Sequence, residues 1–561
     1  MEKFPASMTA IHRVLQATAA VAAAIVVTTC LAAPMDTAQA ATAHAQTPPR
    51  SASTPNIIFV ISDDLGWADV GFHGSEIRTP TLDRLAHEGV QLDRYYTYAV
   101  CSPTRAALMS GRSSLETGVD APVALDSQLP ADTKLLPEQL KSAGYQTMMV
   151  GKWHLGQADV AWMPFKRGFD SFYGFLGGFV DHYHHLTPGG QLDWQRDGVS
   201  IREEGYTTDL LTQEAVTRIK ARDKTRPFFL YLAYDAPHSP LQAPEADVKA
   251  YENIADMRRR VYAAMVTHFD AKLAEVVKTV EDEGLSRDTI IVWVSDNGGQ
   301  IGAGSRNLPL RGGKGTTFEG GERVPAVAYW PGHFQGGRKI ESPVTVLDWF
   351  PTLLKVAGVT VPTDPRIVGH DARPTFEGRK VKSAKMVIGN HNQGEGYYES
   401  AFEWPWKLLR VPTPAYAQLT PGTQFPPATV LPRGISGPTS LQLFDVVKDP
   451  GETTDLSAKY PEVVARLTAQ LNAAPRAPIS LSQWAPERRR LTGGGPGGGG
   501  GPPRNGPGGG PGPQGQGAGQ GAPGNVVSEG DLPGGSAFAG YTVEKGKPVA
   551  ESARGAIVAP N

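Results

Sequence analysis

The chain has 561 residues, with 54 Lys and Arg against 56 Asp and Glu, a formal net charge of −2. That balance gives no field to draw in a polyanion, so nucleic-acid binding is not expected, and a small anion must be met by a few local cations. Sixty-four glycines and 47 prolines are concentrated unevenly, so the ends are set aside before domains are counted.

At the N-terminus Lys3, His12 and Arg13 precede an apolar run from Ala17 to Ala33, and small-residue sites follow at Ala38-Gln39-Ala40 and Ala43-His44-Ala45. This is the order of a cleavable secretory signal, assigned to residues 1–45, and it predicts an exported protein, periplasmic or secreted. The run is short for a membrane span and rich in alanine, so stable membrane insertion is not expected. At the other end Thr492 to Gly524 is almost entirely Gly, Pro, Gln and Asn, which cannot bury enough apolar surface to offset chain entropy. Residues 476–561 are expected to form a disordered tail. The folded body divides into a main domain, 55–385, and a C-terminal subdomain, 386–475.

Asn56 to Ile61 is a nearly continuous run of apolar, branched residues, the mark of a parallel strand buried on both faces. It stops on Asp63 and Asp64, where open α/β sheets place ligands. A helix from Thr79 follows, and then Cys101-Ser102-Pro103-Thr104-Arg105. Ser102 suits an N-cap and Pro103 a first helical position, with Gly111 ending the helix. Cys101 would then lie just ahead of a helix N-terminus, which favours an anion, either a thiolate or a bound oxyanion. The bland alternative is that a lone cysteine is a small buried hydrophobe.

Gln146 to Val150 reads as a second strand, running into Lys152 and His154, two apart and so on one side of an extended segment. Gly168 to Trp194 is glycine-rich and aromatic and is read as a loop; His182 to His185 and Trp194 are its candidate substrate-pocket residues. Phe228 to Tyr234 is a third strand, ending near His238. Met257 to Glu283 is a long helix whose apolar spacing marks core. Thr289 to Val294 is a fourth strand and stops on Asp296 and Asn297. Lys314 follows in a glycine-rich loop without the Walker A order. Ala326 to Trp330 adds a strand and Leu347 to Ala357 a helix. Beyond residue 385 short antiparallel strands and a closing helix, Tyr460 to Leu471, are expected. The fold class is thus α/β with a mostly parallel central sheet and a smaller antiparallel α+β subdomain.

Polar residues at four strand ends on one edge of one sheet are hard to explain by chance. Asp63, Asp64, Asp296 and the Asn297 side-chain oxygen make a hard, oxygen-only set suited to Ca2+ ahead of Mg2+, and not to zinc. Arg105, Lys152 and Lys314 would face an ester's non-bridging oxygens, with His154 and His238 available for proton transfer.

Cys-x-Pro-x-Arg resembles the signature of type I, formylglycine-dependent sulfatases, and the resemblance extends from Asn56 to Leu443-Phe444-Asp445. It implies an alkaline-phosphatase-like sandwich. It also implies that a maturation enzyme oxidises Cys101 to formylglycine, with Ser102 to Arg105 as a suitable recognition motif. On the matching positions Asp63, Asp64, Asp296, Asn297 and modified Cys101 are metal ligands, and Cys101, Arg105, Lys152, His154, His238 and Lys314 are catalytic. The resemblance further implies that a hydroxyl of the hydrated aldehyde attacks sulfur, with His238 and Lys314 on the leaving alcohol and His154 releasing sulfate. Gly71 to Pro80, Gly151-Lys152-Trp153-His154-Leu155-Gly156 and Arg167-Gly168-Phe169-Asp170 look like the arylsulfatase B group, which includes N-acetylgalactosamine-4-sulfatase. A small sulfate ester or sulfated saccharide is the substrate expected. Two rivals stand beside this reading: a phosphomonoester or phosphodiester hydrolase on the same fold, and an idle binder of sulfated polymers.

Overall fold

The structure is a computed structural model that describes residues 54–123, 129–379, 386–392, 396–412, 439–475 and 556–558. The expected signal segment lies outside the described residues, as does the tail apart from Ala556–Val558, which pairs antiparallel with Gln242–Pro244. Among the described residues no helix is long and apolar enough to cross a membrane.

Among the described residues ten strands form the central sheet. Its middle is Thr289–Ser295, Asn56–Ser62, Phe228–Ala233 and Gln146–Lys152, side by side in that order and all parallel. Asn56–Ser62 runs in step with Thr289–Ser295, Asn56 opposite Thr289 and Ser62 opposite Ser295. That register brings Asp63 and Asp296 out of the sheet as neighbours. Ala326–Tyr329 pairs antiparallel on one side of this middle, and Ser171–Phe175 pairs parallel on the other.

Alternate side chains of one strand build two separate cores, as the two-residue period of a strand requires. Ile57, Phe59 and Ile61 belong to a core with Leu108, Leu136, Trp349 and Leu353. Ile58 and Val60 point the other way, into a core with Leu82, Leu211, Phe269 and Leu273. Helices Cys101–Ser110, Leu136–Ser142 and Trp349–Val356 therefore cover one face. Pro80–Glu88, Thr207–Ala221 and Met257–Asp282 cover the other. A second sheet of four antiparallel strands, Met386–Asn392, Gly396–Glu403, Trp406–Pro412 and Thr439–Asp445, follows in sequence order. The helix Pro461–Ala473 packs on it through Leu467 and Leu471 against Leu408 and Leu443.

Two local expectations change. Ser171–Phe175, read as part of a glycine-rich loop, is a sheet strand; Gly174 sits there because a Cβ would meet the Gly151 carbonyl oxygen at 2.3 Å. The helix expected to begin after Ser102 begins at Cys101, with Val100 as its N-cap residue and Gly111 ending it in the left-handed region. Ser102 is not free to cap, because its hydroxyl donates to the His154 carbonyl (2.9 Å) and accepts from the Val123 NH (2.9 Å).

Candidate active site

Most candidate residues come from the C-terminal end of a buried strand or from the loop just after it; Cys101 and Arg105 come from a helix and Lys314 from a later loop. Asp63 and Asp64 follow Asn56–Ser62, Lys152 ends Gln146–Lys152, His238 lies five residues past Phe228–Ala233, and Asp296 and Asn297 follow Thr289–Ser295. The Cys101–Ser110 helix is buried along its whole length and aims Cys101 at this edge. Gly151, at φ +108°, lets two of these strands approach: a Cβ there would lie 1.8 Å from the Ala233 carbonyl oxygen.

The charges pair across the strands. Lys152 donates to Asp63 Oδ2 at 2.5 Å and Lys314 to Asp64 Oδ2 at 2.7 Å. Arg105 reaches Asp296 Oδ2 through its Nη2 (2.8 Å) and Nε (3.3 Å), and donates to the Lys152 carbonyl (3.1 Å). It also donates to the Tyr231 hydroxyl (3.4 Å), a contact with no sequence signal because Tyr231 reads simply as a strand residue. Asn297 donates to Asp64 Oδ1 at 2.7 Å. Burial alone would raise Asp63, but Lys152, His238, Arg105 and Lys314 hold it below the usual carboxylate range. Burial and the neighbouring Asp63 push Asp296 up against the pull of Arg105.

Two oxygens of this cluster stand out. Asp63 Oδ1 and Asn297 Oδ1 are buried without a hydrogen-bond partner among the described residues, an arrangement that is costly unless something else meets them. Both are hard oxygen donors. One ligand atom from each of Asp63, Asp64 and His238 also lies within 4.8 Å of the others. The residues present therefore fit a divalent cation.

Cys101 Sγ lies 3.2 Å from His154 Nδ1, and His154 Nε2 lies 3.2 Å from the Val123 carbonyl. A carbonyl only accepts, so Nε2 carries the hydrogen and Nδ1 presents its lone pair to position 101. Burial, helped by Lys152 and Arg105, holds His154 well below the usual imidazole range, so the ring is neutral. Burial also pushes the Cys101 thiol up, despite Lys152 and Lys314, which disfavours the thiolate among the two anions considered from sequence. His238 donates from Nδ1 to the Ser239 carbonyl (2.5 Å) and turns Nε2 toward Asp64 Oδ2 (3.6 Å). Burial and Lys314 lower it to about 4.

The expected substrate pocket is corrected. His182, His185 and Trp194 are 1%, 0% and 0% exposed, and His185 stacks on Trp194 with ring centroids 4.3 Å apart. These three are packing and support, not a solvent-facing lining; of the expected residues only His184 is exposed, and its Nδ1 lies 2.9 Å from Asp181. Phe179, which sequence reasoning passed over, is half-buried and stacks on His238 at 5.0 Å. Its neighbour Gly178 lies against His154, where a Cβ would approach Nε2 to 3.0 Å. The hint the sequence offers is two glycines, Gly177 and Gly178, before an aromatic.

A family model described as Sulfatase matches residues 55–359. Arylsulfatase J of Mus musculus is 37% identical over 456 residues, covering 75% of each chain. N-acetylgalactosamine-6-sulfatase of Homo sapiens is 32% identical over 462 residues, 74% of this chain and 84% of the relative. The solved structure of Ps i-CgsB in complex with k-i-k-neocarrahexaose matches with a TM-score of 0.69 and 32% identity, over 78% of this chain and 98% of that one. The chain belongs to the sulfatase family, enzymes that hydrolyse sulfate esters. Its sandwich, central sheet and small antiparallel sheet are the alkaline-phosphatase-like architecture expected.

Proposed function

We propose that the protein is an exported sulfuric ester hydrolase acting on a sulfated saccharide through a formylglycine made from Cys101, with Ca2+ at the site. The observation that carries this reading is a neutral base, His154, aimed from 3.2 Å at a buried cysteine that burial keeps as a thiol. A thiol so placed is a poor nucleophile, which favours its conversion to something else. Asp63, Asp64, Asp296 and Asn297 would hold the cation, with residue 101 beside them. When bound, the cation supplies Lewis acidity to the ester oxygens. When formed, formylglycine supplies as its hydrate one hydroxyl to attack sulfur and a second whose proton can be removed to release sulfate.

The remaining steps belong to side chains. His154 Nδ1 takes the proton from residue 101. Lys152 and Lys314 face the ester's oxygens, and Asp64 keeps Lys314 charged against the effect of burial. Lys314 and His238 Nε2 serve the leaving oxygen; an anionic ester beside Nε2 favours the imidazolium against the effect of burial. Phe179 offers a partly exposed ring next to His238 on which a sugar face can pack. Relatives named for N-acetylgalactosamine 6-sulfate and a similar structure in complex with a neocarrahexaose support a saccharide as the alcohol.

The test is the mass of the tryptic peptide Tyr95 to Arg105 from protein made in its exporting host, with sulfate release from 4-nitrophenyl sulfate and sulfated sugars. Formylglycine with turnover is expected. An unmodified cysteine in an active preparation overturns the nucleophile. The nearness of His238 to Asp63 and Asp64 also suits a histidine-ligated metal of the kind a phosphoester hydrolase uses. Faster turnover of 4-nitrophenyl phosphate than of the sulfate would move that reading ahead.

A further inference from the structure

His238 stands on a five-residue turn, Asp235 to Ser239, whose backbone is held at several points. Its NH donates to the Asp235 carbonyl at 2.8 Å, and the Ala236 carbonyl accepts from the Asp63 NH at 3.2 Å. The His238 carbonyl is met by His182 Nε2 at 3.2 Å. Because a carbonyl cannot donate, that nitrogen carries a hydrogen. The other nitrogen, Nδ1, lies 2.8 Å from Thr207 Oγ1 and 3.4 Å from Asp235 Oδ2, while the Thr207 hydroxyl donates to Asp235 Oδ1 at 3.1 Å. His182 is 1% exposed and stacks obliquely on Tyr206, centroids 5.5 Å apart. Its Nδ1 is thus held by the Thr207 hydroxyl, which Asp235 anchors in turn, while its Nε2 grips the turn that carries His238.

We propose that His182 is a positioning residue for His238, acting through the His238 carbonyl, with Thr207 and Asp235 fixing its own ring. This rests on the reading of His238 as a residue serving the leaving oxygen. His182 touches no reacting atom. It sets the height and direction of the His238 ring, which Phe179 covers on one face and the Ser239 carbonyl anchors at Nδ1. Help to a leaving oxygen matters most when that oxygen is basic, so a misplaced His238 should harm poor leaving groups and spare good ones.

The experiment is a series of aryl sulfates from 4-nitrophenyl to unsubstituted phenyl, with kcat and KM measured for the full-length matured enzyme and for H182L, H182Q, T207V and H238N. H182L is expected to lower kcat on phenyl sulfate about 10-fold while changing 4-nitrophenyl sulfate less than about 2-fold, with KM nearly constant. H182Q keeps an NH donor toward the carbonyl and is expected to restore most of the loss. If H182L lowers all esters equally, or H182Q rescues nothing, His182 is a packing residue and the inference is wrong. Should H182L not fold, T207V must show the same skew on a smaller scale; a flat profile overturns the inference. H238N separates the two layers: if it shows no leaving-group skew, the role given to His238 fails first. A skew in H238N with none in H182L sinks only His182.

Discussion

Two buried charge clusters in this molecule look alike on paper and differ in what they leave unmet. In the second, Lys407 of the small sheet lies 3.1 Å from Glu319, 3.1 Å from Glu322 and 3.2 Å from Glu452, all with side chains fully buried. Tyr96 and Ser400 add hydrogen bonds to Glu319 and Glu322. Burial pushes Glu322 up to about 8 and Glu452 to about 7 despite Lys407, so near neutral pH the lysine does not face three full charges. In the Lys407 cluster Glu452 Oε1 lacks a well-formed hydrogen bond but still lies 3.2 Å from Lys407 Nζ; the sulfatase cluster spends its lysines and arginine on carboxylates too, yet leaves Asp63 Oδ1 and Asn297 Oδ1 without a hydrogen-bond partner among the described residues. Closed around a lysine, a buried network is a clasp between the small sheet and the short helix Glu319–Glu322. With orphan oxygens at a strand edge, it is a receptacle.

That contrast can be broken by mutation, and the largest effect is expected at Cys101. C101A should abolish turnover of 4-nitrophenyl sulfate, a fall of roughly 10⁴-fold or more, while thermal unfolding stays close to wild type. Residual turnover within about 10-fold would remove residue 101 from the chemistry. Next, D63N should cost several kcal/mol of transition-state stabilisation, on the order of 10³-fold in rate. If Ca2+ is the cation held there, wild type should gain about 2.7 kcal/mol at a hundred times its Kd, and D63N should erase that gain. Calcium that fails to raise the wild-type unfolding temperature counts against the receptacle.

The clasp should answer in the opposite way. K407M leaves three buried carboxyl groups without their cation and is expected to destabilise by about 3–5 kcal/mol in denaturant unfolding. The part that stays folded should keep the wild-type turnover of 4-nitrophenyl sulfate per folded molecule. A stability change under about 1 kcal/mol would show that the cluster is mostly protonated and slack.

A third, shallower cluster sharpens the scale. His268, 13% exposed, bonds Asp247 at 2.7 Å and Asp209 at 3.0 Å. Burial would lower it, but the two carboxylates raise it to about 9. A histidine raised on folding stabilises fully below its unfolded value near 6.5 and loses that contribution as pH climbs through about 9. The contribution is bounded by about 3 kcal/mol. The stability gap between wild type and H268Q should therefore shrink between about pH 6 and pH 9.5; a gap independent of pH would show that the pair is not ionic. The smallest effect is expected from F179A. KM for a sulfated saccharide should rise about 10-fold with kcat nearly kept, as for a lost packing face. A fall in kcat alone would instead make Phe179 a support for His238.

Sequence made the receptacle legible and the clasp invisible, for a physical reason. Asn56 to Ile61 and Thr289 to Val294 are unbroken branched runs, so their strands and the carboxylates that end them could be read locally. Parallel pairing in step then placed Asp63 beside Asp296. Lys407 and Glu319 are 88 residues apart, and nothing in either neighbourhood marks a partner. The same holds for His182, whose bond to the His238 carbonyl spans 56 residues. Its neighbourhood instead suggested a lining histidine, because burial of a polar ring depends on distant acceptors. Ser171–Phe175 was lost to its glycine, which only the neighbouring strand explains. The helix starts two residues earlier than its sequence suggests because the Ser102 hydroxyl serves His154 and Val123 in place of a cap.

The burial of the Cys101–Ser110 helix has one more consequence. All ten of its residues are out of solvent, and Cys101 itself is 3% exposed. An oxidising enzyme that must grip Ser102 to Arg105 has no access to them in the folded chain. Conversion of Cys101, if it is the source of the nucleophile, is then a race between two clocks, modification and folding. A chain that folds first is sealed as a thiol, and its activity is decided before the protein is finished.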